Sequence, residues 1–188
     1  MPPALVDHYR RWFEYEKDSH WRVLESLETV PEEGRASEPY RKALDLLGHI
    51  VAARRIWLHR LDPTFERPAA IFPTGVTREG LRADLEVVER AWTDYLGRLT
   101  DPELSRDLTC QTTEGAWYRT SIVDVLQHTY GHSLYHRGQI ATLVRVGISA
   151  AVTWMLRAFQ KSRVTHPRVE SLNARANVCV VLSNAMPS

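Results

Sequence analysis

His132-Ser-Leu-Tyr-His136-Arg-Gly-Gln139 decides the reading of this chain. Its two imidazoles are spaced so that a helix places them ~40° apart on one face. His128 lies one turn earlier. Upstream, Ser121-Ile-Val-Asp124 resembles a capping box with Asp in place of the usual Glu or Gln. Downstream, Gly147 is a good C-terminal stop. Between these ends, Val125, Thr129, His132, His136, Ile140 and Leu143 recur at helical spacing and predict the core-facing stripe. His136 falls near its centre, His132 ~40° away and His128 ~80° away on the flank. Arg137, ~100° off the centre, reads as a helix-packing or ion-pair residue. Gly138 reads as a point of close helix approach, and Gln139 as a hydrogen-bonding neighbour of the site.

Three further segments carry a helical period. In the first, Leu5, Tyr9, Trp12, Phe13, Leu24 and Leu27 form a stripe that Pro31 and Gly34 end. The second runs from about Pro39 to Leu61, and its two adjacent apolar faces predict burial by several neighbours. A loop with Pro63, Pro68, Pro73 and Gly75 follows. The third opens at Thr77, carries Leu81, Leu85, Val88, Trp92, Tyr95 and Leu99, and stops before Pro102. Residues 107–119, rich in threonine and aromatics around Glu114-Gly115, predict a short hairpin. A short fifth helix is expected from Thr153 to about Lys161. The fold class is therefore all-α: a four-helix bundle over 1–161, with a small hairpin before the fourth helix. Residues 162–188 form a tail with no clear period.

Composition narrows the function. The chain has 188 residues and a formal net charge of +1. That balance lacks the concentrated basic surface of a nucleic-acid binder and gives no reason to expect an anionic membrane. Two cysteines, Cys110 and Cys179, have no CxxC spacing, so a disulfide framework is not expected and a cytoplasmic setting is. No signal peptide and no stretch of membrane-spanning length is read from the sequence.

Two adjacent core imidazoles must find partners for both ring nitrogens of each, and a shared metal meets that demand. Hydrogen-bonded core histidines are the competing reading. A third ligand must come from another helix, and His49, beside Leu46, Ile50, Ala53 and Trp57, is the best candidate. His8, His20, His59 and His166 read as surface or boundary residues. A zincin helix would carry Glu directly after the first histidine; Ser133 stands there, which excludes that chemistry. Asp45 and Asp124 are candidates to orient a ligand imidazole, although capping is the simpler role for Asp124. Cys110 reads as a buried thiol. The spacing assigns no catalytic residue.

Gly48-His49 with Trp57-Leu58, and Leu126-x-His128-x-x-x-His132-x-x-x-His136-Arg137-Gly138-Gln139, together resemble the DinB/YfiT-like superfamily over about residues 4–160. The resemblance implies a four-helix bundle with a divalent metal on His49, His132 and His136. Zinc or nickel is expected first, iron or manganese next. It implies a metal-dependent transferase or hydrolase, in particular an S-transferase using low-molecular-weight thiols such as bacillithiol or mycothiol. The expected partners are a small-molecule thiol, an electrophilic substrate and a second copy of the chain in a homodimer, with no nucleic acid and no membrane. The alternative is a non-catalytic, metal-stabilised bundle with a sensing or interaction role.

Overall fold

The computed structural model describes residues 4–147. Four long helices form the bundle: α1 (Leu5–Glu28), α3 (Glu38–Leu61), α4 (Arg78–Arg98) and α6 (Ile122–Gly147). Two one-turn helices, α2 (Glu32–Arg35) and α5 (Asp101–Leu104), sit in the connections. Strands β1 (Asp107–Gln111) and β2 (Trp117–Ser121) make the hairpin. The bundle and the hairpin before its last helix match the expectation from periodicity. The expected fifth helix and the tail lie outside the described residues.

Local chemistry sets the ends of the helices. Ser37 and Thr77 accept the backbone N–H groups of Tyr40 and Gly80, capping α3 and α4. Ser121 and Asp124 bond reciprocally: the Asp124 N–H donates to Ser121 Oγ at 3.2 Å, and the Ser121 hydroxyl donates to the carboxylate at 2.6 Å. Asp124 is therefore a cap, as its place in the sequence predicts. In the hairpin, Cys110 faces Tyr118 across the ladder. Leu108 and Cys110, two apart on one face of β1, are buried. Gly115, at φ +87°, turns the chain between the strands, a conformation that suits glycine.

α3 packs on both α6 and α4, and α1 packs on α4 and α6. Leu24, Leu27, Leu47, Ile50, Leu85, Trp92, Ile122 and Leu126 are fully buried between them. Two members of the first stripe depart from expectation. Leu5 and Trp12 are exposed, because they lie ~20° apart on the outer edge of the stripe while Tyr9 and Phe13 turn inward.

The last helix is rotated from the predicted setting. Its buried line runs through Ile122, Val125, Leu126, Thr129, Tyr130, Ser133, Arg137, Ile140 and Val144. The centre lies at about Ser133, so His136 is ~60° and His132 ~100° away from it. Arg137, expected off the stripe, is inside. The cause is a set of charges hidden in the bundle. Glu16 of α1 receives Arg137 through two bonds of 2.6 and 2.8 Å, and Arg54 of α3 at 2.8 Å. Arg54 also donates to Ser133 Oγ at 3.2 Å. His20, expected at the surface, is fully buried, with Nδ1 3.3 Å from Glu89 Oε1. A purely apolar count misplaces a helix whose inward face is partly ionic. Gly138 is not a point of close approach either: nothing stands within 4 Å of where a Cβ would sit.

Candidate metal centre

The three predicted histidines meet. His49, His132 and His136 each offer one nitrogen, and these atoms lie within 4.8 Å of one another. His132 Nε2 lies 3.0 Å from His49 Nε2. Two nitrogens bound to one tetrahedral zinc stand ~3.3 Å apart, so the separations suit a shared ion after small adjustments. His128 does not join the cluster. Its ring sits 5.8 Å from His132 and 5.6 Å from Trp57, centroid to centroid. His59 donates from Nδ1 to the Phe65 carbonyl near its helix end, a boundary role as read.

The outward nitrogens explain the inward ones. His49 Nδ1 is 2.7 Å from the Ile71 carbonyl, which can only accept, so that nitrogen carries the proton and Nε2 keeps its lone pair. His136 Nδ1 is 2.7 Å from Gln139 Oε1, while Gln139 Nε2 donates to Tyr135 Oη at 3.1 Å. This again leaves Nε2 open. Fixing the tautomer through the remote nitrogen is how proteins prepare imidazoles for metals. Gln139 thus plays the part its position predicts. Asp45 does not: it accepts the Val76 N–H at 3.2 Å and touches no ligand histidine.

Electrostatics keep His132 and His49 neutral. Burial, followed by the neighbouring His136 and His49, pushes His132 down to about 3. Burial also lowers His49, against the opposing pull of the Ile71 carbonyl. Neutral imidazole is the ligating form.

Some of the site's residues come from a loop that spacing could not place. The 62–77 segment between α3 and α4 lays Phe72 flat on His49, with ring centroids 4.4 Å apart and planes 10° apart. Gly48 makes this approach possible: a Cβ there would meet Pro73 Cγ at 3.0 Å and Val76 Cγ1 at 3.2 Å. Tyr135 stands edge-on to His136 at 5.0 Å. Phe72 and Tyr135 are both well exposed, so the cluster opens outward between two aromatic rings. Beside it a cleft of about 230 Å³ runs along α3 to the hairpin, with His49, His132, Trp57, Arg60, Thr112 and Tyr118 on its walls.

Taken together, an all-α bundle holds three histidines positioned to hold a metal ion, next to an open cleft. The chain belongs to the DinB family, whose sequence profile matches residues 1–151. The crystal structure of a DinB-like protein from Bacillus cereus ATCC 10987 is similar at a TM-score of 0.56 and 21% identity, over 77% of this chain and 93% of that one. At that identity the likeness concerns the fold. No curated protein matches the chain. Among the described residues, no helix is long and apolar enough to cross a membrane.

Proposed function

We propose that the protein is a metal-dependent S-transferase in which His49, His132 and His136 bind one divalent ion through Nε2. Zinc or nickel suits three imidazoles best, with iron or manganese as further candidates. One observation carries the reading: three ring nitrogens converge, and two of the rings are held by hydrogen bonds on their far side. A bound ion would supply charge that favours the thiolate form of a thiol.

The protein's own residues do the rest. Ile71 and Gln139 hold two rings in register. Phe72 and Tyr135 cover them with apolar surface and leave the mouth open. Among the described residues no fourth His, Cys, Asp or Glu completes the cluster, which supports a position free for an exogenous ligand. In the reaction, sulfur would form a bond to the electrophilic carbon. The leaving group would depart with its electron pair, and the thiol proton would pass to solvent.

Cobalt(II) reconstitution tests this. Adding a small thiol should produce a sulfur-to-metal charge-transfer band, and His136→Ala should abolish it. Full cobalt loading with a spectrum indifferent to a panel of thiols would overturn the transferase reading. The second reading, a non-catalytic metal-stabilised bundle, would then stand.

A further inference from the structure

The far end of the cleft holds a cation with little to neutralise it. Arg60 stacks its guanidinium over Trp57, 4.7 Å from the ring centroid. It donates from Nη2 to the Gln111 carbonyl at 2.8 Å. These two contacts fix the plane and position of the group. Its Nε–H and Nη1–H2 groups have no acceptor among the described residues. No carboxylate is among the residues that line the cleft. Glu114, at the hairpin tip, is fully exposed and feels Arg60 only as the weakest influence on its carboxyl. The charge also reaches inward, since it helps to lower His128 after the larger effect of burial.

An oriented guanidinium with spare donors, in a cleft without acids, is suited to a carboxylate or phosphate. We propose that Arg60 forms an oxyanion subsite and that the cleft takes an extended ligand. Its anionic end pairs with Arg60 while its other end reaches the histidine cluster. For that other end, the proposal rests on the thiolate reading above. The span follows from α3. Arg60 lies eleven residues beyond His49, and its side chain leans back over Trp57, so the two ends are ~12 Å apart along the axis. A two-carbon thiol cannot bridge that gap. A peptide-sized thiol with a remote oxyanion can. Thr112 and Tyr118, between the hairpin and the helix, add polar groups along the way.

Two measurements test the proposal separately from the thiol reading. In the first, the NMR signal of the Arg60 Nε–H is followed while inorganic phosphate or acetate is added to the metal-loaded protein. The signal should shift saturably. Tighter binding of phosphate would mark a phosphate-bearing ligand, and tighter binding of acetate a carboxylate. In the second, cobalt-loaded protein is titrated with glutathione and with its diethyl ester, reading the charge-transfer band. The wild type should favour the free acid by about tenfold, as expected for one charge-assisted pair, and Arg60→Gln should bind the two alike. Arg60→Lys, with folding checked by circular dichroism, should keep part of the preference and so separate loss of charge from a loosened hairpin. A band silent to every thiol, with an Arg60 signal that still responds to anions, would discard the thiolate reading and keep the subsite. An unresponsive Arg60, or an acid preference unchanged in Arg60→Gln, would overturn the subsite.

Discussion

α6 carries two polar clusters on adjacent strips of its surface, and they are built on opposite plans. His132 and His136 look toward α3, each with a ring nitrogen turned to the place it shares with His49. Ser133 and Arg137, one residue on from each, look into the bundle and are bonded to Arg54 and Glu16. The inner cluster pairs its charges with one another, although Arg54 Nε and Nη1 make no bond among the described residues. The outer cluster leaves a shared place unfilled. The inner plan anchors the helix on which the outer one depends, because each of the two ligand histidines on α6 is followed by a residue tied to the buried charges.

Breaking the inner cluster should have the largest effect. Glu16→Ala strips Arg54 and Arg137 of their shared carboxylate while they remain buried, and should cost ~3–5 kcal/mol of stability. Urea denaturation measures this. A loss below ~1 kcal/mol would show that the ionic core is not what anchors α6.

Breaking the outer cluster should act on the metal before the fold. His132→Ala should abolish tight zinc binding in a calorimetric titration. The melting temperature of the metal-free protein should move far less than that of the loaded wild type on chelation. At metal a hundredfold above its dissociation constant, binding adds ~2.7 kcal/mol, and a chelator removes it. Equal melting of the two metal-free proteins would place the site outside the folding core.

Acid sharpens the contrast, because the groups pull in opposite directions. His132 is held near 3, and His20 well below its usual value by burial and then by Arg54 and Arg137. The unfolded chain takes those protons near ~6.5, so the stability they confer is complete above that pH and is lost on acidification. Glu89 is raised to about 7 by burial, so the folded chain keeps a proton that the unfolded chain releases near ~4.3. Its contribution is therefore full at low pH and is lost as pH rises toward 7. Between these limits the histidines should win, and metal-free protein should lose stability as pH falls from 6.5. His132→Gln should reduce that slope by about one proton, and Glu89→Gln should steepen it. Unchanged slopes in both variants would remove these groups from the pH dependence.

The smallest expected effect is on ring orientation. Gln139→Leu frees His136 Nδ1 from its acceptor and should weaken metal binding by about 10–100-fold while leaving the fold intact. An unchanged affinity would make the Gln139 contact incidental.

Much of this was legible beforehand, for physical reasons. Apolar spacing and caps marked the four helices, since the sequence itself states where a helix can bury a face and satisfy its ends. The histidine trio was legible because an i, i+4 pair needs only one partner on a neighbouring helix. The inner cluster was not. Glu16 and His20 continue the line of Phe13, Val23 and Leu27, but a charged residue at a stripe position reads as an interruption until its partner is known, and those partners come from three other helices. The Ile71 carbonyl was out of reach because any residue supplies one. Phe72 sits in a loop whose path is set by contacts rather than by periodicity.

Gly48 leads to a consequence in the currency of sequence change. In the middle of a helix, alanine is ordinarily the welcome replacement for glycine, better by ~1 kcal/mol. Here the added methyl would press on Pro73 and Val76 and make the loop yield by a few tenths of an ångström. The same loop holds the Ile71 carbonyl against His49. A substitution that improves the helix therefore loosens a ligand. Drift toward stability and retention of the metal centre select opposite residues at this one position.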